Sequence, residues 1–272
     1  MTDRRNAINF LAPLFVPATR PERFAKAAAS GADGVIIDLE DAVAAPDKDD
    51  ARKTLATSDI PAGAVVRINA KGTNWHDDDI AIVKSLRIGS VMLPKAESGE
   101  QVRALKALLA PLPVIALIES AEGLHAVKEI AQHADRLAFG YIDFSADIGC
   151  SMDKHALLNA RSEIVLASRL SRLPMPLEGV TPSFDDPKIV EDDARYAAAM
   201  GFGGKLCIHP KQIAPVLRGM RPTQSDIDWA KRIAQSGDGA VSIDGQMVDA
   251  PARLRAARIL AAAKACDAAT QS

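Results

Sequence analysis

The 272-residue chain is poor in cysteine, nearly neutral, and free of long apolar runs. Its three cysteines, Cys150, Cys207 and Cys266, are odd in number and widely spaced. That argues against a disulfide framework or a cysteine-built zinc site, and a reducing, cytoplasmic setting is the expectation. A net charge of −2 offers no electrostatic basis for holding nucleic acid or an anionic membrane. No apolar run reaches the ~20 residues needed to span a bilayer. The short stretch from Ile8 to Val16, which comes after Arg4 and Arg5, is interrupted by Pro13 and closed by Pro17. Without a clean cleavage site behind it, it reads as a first strand rather than a secretion signal. No low-complexity linker divides the chain.

What is present is ordinary for a soluble globular protein: 48% hydrophobic and 25% charged residues. Short apolar runs alternate with longer helix-forming segments. Strands are expected over 12–16, 34–39, 65–69, 90–93, 114–118, 136–139, 177–180 and 204–207. Helices are expected between them, over 21–30, 48–56, 78–86, 99–109, 122–133, from beyond Lys154, over 186–200 and over 211–218. Runs such as VIALI and GVIID are apolar without alternation, the mark of parallel strands buried on both faces. Eight strand–helix units imply an α/β fold, a (β/α)8 TIM barrel, for which about 250 residues is the usual length. The barrel is expected over 1–220. Residues 221–272 form a C-terminal helix–hairpin–helix appendage, with Ser225 as a candidate cap and Asp244–Gly245 as the hairpin turn. Too small to fold alone, the appendage should pack on the barrel or on a neighbouring subunit.

Barrel enzymes act at the C-terminal ends of their strands. There the sequence places Asp38, Glu40 and Asp41 after strand two, Arg67 and Asn69 after strand three, and Lys95 after strand four. Glu119 comes after strand five, Gly140 leads to Asp143 after strand six, and His209 comes after strand eight. Each has a plain structural alternative. Asp41, Ser120 or Asp47 can cap a helix. Arg67 can neutralise Glu119, Lys95 can brace Glu40, and His209 can make a local hydrogen bond before Pro210. Glu119 and Asp143, one strand–helix unit apart, would bring two carboxylates together, and such a pair either shares a proton or binds a cation. Without a neighbouring His or Cys, oxygen ligands of this kind suit Mg²⁺ rather than zinc.

The ordered set LFVPATRPERFAKA, GVIIDLEDAV, VRIN, LPK, IESAEGL, FGYIDFSADIG, IHP and MVDAP resembles the HpcH/HpaI aldolase and citrate lyase β-subunit family across nearly the whole chain. The resemblance implies a (β/α)8 barrel that needs Mg²⁺ or Mn²⁺, with Glu119 and Asp143 as metal ligands and substrate contacts. It implies that Arg67 meets the substrate oxygen that gains negative charge. It also implies that Asp249 is the acid or base at the acyl methyl carbon, reaching the active site of a neighbouring subunit in a homotrimer or hexamer. A coenzyme A thioester is the implied substrate.

The pyruvate-aldolase branch of the family carries a histidine where this chain reads DLEDAV, so the resemblance favours the thioester branch. Two departures stand out: PATR in the first motif, and Ile142 where many members have an acidic residue. The expected activity is cleavage or formation of a malyl-, citramalyl- or citryl-type thioester. Three alternatives remain: a citrate lyase β subunit acting on an acyl carrier protein, a pyruvate-type aldolase, and a barrel without catalytic activity.

Overall fold

The structure, a computed structural model, describes residues 8–236, 241–243 and 246–271. Eight parallel strands lie side by side in chain order: β1 (Leu14–Pro17), β2 (Val35–Asp38), β3 (Val65–Arg67), β4 (Ser90–Leu93), β5 (Val114–Ile118), β6 (Arg136–Phe139), β7 (Leu177–Glu178) and β8 (Gly204–Lys205). The sheet curls until its last strand meets its first. The Phe15 amide donates to Cys207 O at 2.8 Å, and the Cys207 amide donates to Pro13 O at 2.9 Å. The arrangement is consistent with a (β/α)8 barrel.

Intervening helices cover the outside: α1 (Phe24–Ala28), α2 (Lys48–Thr57), α3 (His76–Val83), α4 (Gly99–Leu109), α5 (Ala121–His125), α6 (Val127–His133), α7 (Tyr141–Ile148), α8 (Leu158–Leu170), α9 (Pro187–Met200) and α10 (Ile213–Met220). No helix among the described residues is long and apolar enough to cross a membrane.

Strand residues are buried on both faces, which is why the runs are apolar without alternation. Ile37, Val66, Val91, Val114 and Ala116 join the core that helix residues such as Leu55, Leu105 and Ile130 complete. Their chain neighbours Ile36, Val65, Met92, Leu117, Ala138, Leu177 and Leu206 form a second cluster inside the curl. Because side chains alternate with a period of two, this inward row fixes which residues continue it at the strand ends. Two positions along the chain, Ile36 gives way to Asp38, Val65 to Arg67, Leu117 to Glu119 and Ala138 to Gly140. The polar cluster at the mouth is therefore the continuation of the inner core.

Four expectations need correction. The helix expected only beyond Lys154 is preceded by the short helix α7, so Asp143 rides on a helical first turn directly after β6. Tyr141, Phe144 and Ser145 are its buried face, and Gly149, left-handed at φ 72°, ends it. Strands seven and eight stop after two residues, where Gly179 packs against Tyr141 so closely that a β-carbon would lie 2.6 Å from the ring. Asp47 makes no side-chain cap to α2, whose start lies just past the turn set by Pro46. Thr223 rather than Ser225 caps α11 (Gln224–Gln235), its hydroxyl accepting the Asp226 amide at 3.1 Å.

Beyond α11 lie two short antiparallel strands, β9 (Val241–Ile243) and β10 (Gln246–Val248), and then α12 (Ala250–Gln271). The expected Asp244–Gly245 turn lies outside the described residues, as do Arg4 and Arg5. Ala230, Ile233, Val248 and Ala256 make a small cluster between α11 and α12. The far end of α12 returns to the main body through buried Cys266 and an Arg221–Asp267 ion pair.

Candidate active site

Arg67 is the centre of the mouth. Parallel pairing of β2 with β3 sets Asp38 opposite Arg67, and the side chains meet in a two-pronged contact. Arg67 Nε donates to Asp38 Oδ1 at 2.8 Å and Nη2 donates to Asp38 Oδ2 at 2.6 Å. Arg67 Nη1 lies 3.0 Å from Glu40 Oε2 and 3.7 Å from Asp41 Oδ2. The guanidinium also lies over the Phe15 ring, 4.8 Å from its centroid. The sequence alternative that paired Arg67 with Glu119 is thus corrected: the register hands it Asp38 and Glu40 instead.

Asp38 and Glu40 are themselves buried. Asp38 also accepts the amides of Glu40 and Ala42, folding the chain after β2 around it. Glu40 Oε2 is buried with no hydrogen-bond donor among the described residues, because the Arg67 contact lacks hydrogen-bond geometry. Burial pushes the Glu40 carboxyl above its ordinary value, against the pull of Arg67 and Lys95.

Lys95 links the two halves of the site. Its backbone is left-handed, φ 46°, a conformation that costs a residue with a β-carbon about 1–2 kcal/mol. In that conformation the Lys95 amide donates to Glu119 Oε1 at 2.7 Å. Its ammonium donates to Glu40 Oε1 at 2.6 Å and stands 3.9 Å from Asp143 Oδ2. Burial works against the charged amine, but the Glu40 carboxylate outweighs it and holds the pKa up at about 12. The bracing of Glu40 by Lys95 is borne out.

Glu119 is only 4% exposed. Burial, reinforced by the negative charge of Glu40, pushes its carboxyl up to about 8, with Lys95 and Arg67 pulling the other way. A carboxylate in this position is short of positive charge. Asp143, by contrast, has a side chain 44% exposed on the first turn of α7. Among the described residues no group of three or more His, Cys, Asp or Glu side chains is gathered for a metal. Glu119, whose Oε1 meets the Lys95 amide, and Asp143, whose Oδ2 lies 3.9 Å from the Lys95 ammonium, are carboxylates of the donor type that suits a hard divalent cation.

The remaining candidates fall outside this cluster. Asp249 is exposed, and its carboxylate accepts the Ala252 amide at 2.9 Å as the cap of α12. His209 accepts the Lys211 amide at 3.1 Å and stacks on Phe184, so its local structural role is the one observed. Ser120 caps α5, as expected, by accepting the Gly123 amide.

Sequence reasoning missed the support beneath the β2 and β3 ends. Buried Lys48 donates to Leu39 O, Glu40 O and Asn69 Oδ1, each at 2.7 Å. Asp79, fully buried, accepts from the Asn69 amide and side chain and pairs with Arg52. Nothing in the sequence separates Lys48 from an exposed helix lysine, since its burial depends on where Trp75 and Asn69 arrive from the next unit.

The family model described as HpcH/HpaI aldolase/citrate lyase matches residues 11–210. A citrate lyase subunit beta-like protein of Mycobacterium tuberculosis is 42% identical over 262 residues, covering 91% of this chain and 93% of the relative. The human mitochondrial citramalyl-CoA lyase is 31% identical, covering 88% and 81%. The crystal structure of CitE from Mycobacterium tuberculosis in complex with magnesium, acetoacetate and coenzyme A superposes with a TM-score of 0.85 at 39% identity. That alignment covers 95% of this chain and 99% of the other.

Proposed function

The chain belongs to the HpcH/HpaI aldolase/citrate lyase family, and from that premise we propose that it is a Mg²⁺-dependent carbon–carbon lyase acting on a malyl-, citramalyl- or citryl-type thioester. The products of cleavage are an acetyl thioester and a 2-oxo acid, and the same site runs the reverse condensation. The observation that carries this reading is the mouth cluster. Arg67 is locked on Asp38 and Glu40, beside a buried Glu119 whose ionisation a cation would restore.

The residues fit Mg²⁺ or Mn²⁺. Glu119 and Asp143 supply oxygen donors. Gly140 leaves Glu119 Oε2 a space that a β-carbon would fill, at 2.5 Å. Bound there, the ion supplies Lewis-acid polarisation of the hydroxyl and carboxylate of the substrate. Arg67 supplies fixed positive charge where an oxygen becomes anionic, and Asp38 holds it there so that little reorganisation accompanies the reaction. Breaking the carbon–carbon bond turns the substrate hydroxyl into the 2-oxo group, its proton passing to water, and leaves a thioester enolate whose terminal methylene carbon must gain a proton to become methyl. Asp249 is the proposed donor, and the base in the reverse direction. Its place at the exposed start of α12 supports delivery to a neighbouring subunit, in a cytoplasmic homotrimer or hexamer. Residues 1–220 would then be the catalytic barrel and 221–272 the appendage that carries Asp249 across.

The test is acetyl-CoA release from citramalyl-CoA and malyl-CoA, with Mg²⁺ or with EDTA, by wild type, Glu119→Ala and Asp249→Asn. Release that needs Mg²⁺ and is lost in both variants supports the lyase and both roles. No release by wild type, with Mg²⁺ demonstrably bound, sinks the malyl-CoA and citramalyl-CoA readings and leaves the carrier-protein substrate or another thioester. The 42% identical relative carries a citrate lyase subunit beta-like name, so citryl-acyl carrier protein is the second substrate to offer.

A further inference from the structure

Lys95 has more built into it than a brace for Glu40 requires. Its left-handed backbone is strained for a lysine, and strain of this kind persists where the surroundings over-determine it for function. A glycine would hold the same backbone and the same amide contact to Glu119 without strain. What the lysine adds is the ammonium alone.

That ammonium is more open to solvent than the Arg67 guanidinium beside it. Arg67 is 11% exposed and committed to Asp38 and Glu40, whereas the Lys95 side chain is 40% exposed. Glu40 takes one of its three N–H donors, at 2.6 Å. It stands 3.9 Å from Asp143, so an anion held by Glu119, Asp143 and a shared cation would lie within its reach. Carboxylates otherwise line the opening: Asp41, Glu119 and Asp143 together with Glu40. An anionic fragment entering there needs a cation of its own.

We infer that the Lys95 ammonium is the receptor for the carboxylate of the 2-oxo acid fragment, making Lys95 a specificity-determining residue for acids over neutral carbonyl compounds. The inference rests on the proposed lyase reading and assigns one further contact within that site. The ammonium keeps Glu40 on one donor and presents the others to the substrate. Glu40 holds the charge in place, and the left-handed backbone sets the direction from which the side chain rises.

Direct binding tests this without turnover. Pyruvate and methyl pyruvate are titrated into the Mn²⁺-loaded full-length protein, with Mn²⁺ affinity measured separately by electron paramagnetic resonance. Wild type, Lys95→Met, Lys95→Gln and Lys95→Arg are compared. The expected result is a loss of pyruvate affinity of about 30-fold or more in Lys95→Met and Lys95→Gln. Methyl pyruvate and Mn²⁺ should bind as they do to wild type, within about threefold, and Lys95→Arg should retain most pyruvate affinity. A role confined to bracing Glu40 would weaken both carbonyl compounds, or Mn²⁺, together, and that outcome overturns the inference. Unchanged pyruvate binding in Lys95→Met overturns it too, while leaving the lyase reading intact. Failure of wild type to bind pyruvate, glyoxylate or oxaloacetate sinks both.

Discussion

Gly140 lies so close to Glu119 that a β-carbon on it would come within 2.5 Å of Oε2 and 2.8 Å of the Glu119 β-carbon. The two residues end adjacent strands on the inward row, and their contact leaves no room for any side chain. A proposed metal ligand is thereby pressed into one position by backbone. Gly140→Ala should displace Glu119 and weaken Mn²⁺ binding at least about tenfold, with an overpacking cost of about 1–3 kcal/mol. Electron paramagnetic resonance of Mn²⁺ and urea denaturation read the two effects separately. Native Mn²⁺ affinity in a folded Gly140→Ala variant would contradict the assignment.

Removing Arg67 should cost stability as well as activity. Arg67→Met would leave Asp38 buried without its counter-charge and Glu40 with Lys95 alone, a type of change that typically costs about 3–5 kcal/mol. The double variant Arg67→Met/Asp38→Asn should recover part of that loss and none of the activity. Chemical denaturation of the single and double variants checks the first statement, and acetyl-CoA release checks the second.

The alternation of buried runs was readable directly: the expected strands 90–93, 114–118 and 136–139 coincide with β4, β5 and β6. Parallel strands buried on both faces leave an uninterrupted apolar signature, and charged residues at their ends stand out against it. Which charge meets which was not readable, because the register of parallel neighbours has no turn to fix it. Glu119 therefore stood as one possible partner for Arg67, where the pairing of β2 with β3 supplies Asp38. The helix α7 was missed for a different reason. In YIDFSADIG the first residues continue the apolar run of β6, and only Gly149, as a left-handed terminator, marks the helix. The cradle around Lys48 left no local sign at all, being assembled from Leu39, Glu40 and Asn69 in separate strand–helix units.

Glu119 also sets a pH dependence for the metal-free protein. Its carboxyl is raised from 4.5 to about 8 in the folded chain, so between those values the folded state keeps a proton that the unfolded state has released. Stability from this group is therefore undiminished below about pH 4.5 and falls as pH rises, by at most about 1.4 kcal/mol per unit, levelling off above about pH 8. With EDTA present, the difference in unfolding free energy between wild type and Glu119→Gln should shift in favour of the variant from about pH 5.5 to 8, a window of ~2.5 units. Saturating Mg²⁺ should reverse that advantage, since a cation stabilises the ionised carboxylate that only wild type has. A pH-independent difference in EDTA would show that Glu119 titrates normally.

Asp249 presents the sharpest test of assembly. Within one chain its carboxylate caps α12 and makes no hydrogen bond or ion pair with the mouth cluster among the described residues. If it acts on the neighbouring subunit, a site needs Glu119 from one chain and Asp249 from another. Glu119→Ala and Asp249→Asn should each be inactive alone. Dissociated, mixed in equal amounts and reassembled, they should regain roughly a quarter of wild-type activity. In a cyclic assembly that is the chance that a chain keeping Glu119 sits beside one keeping Asp249. Recovery should appear only after subunit exchange, which light scattering and native mass spectrometry can track. Inactivity of fully exchanged mixed oligomers would place Asp249 in service of its own chain or of none. An active Asp249→Asn homo-oligomer would remove it from the chemistry altogether, leaving water or a mouth carboxylate to supply the proton.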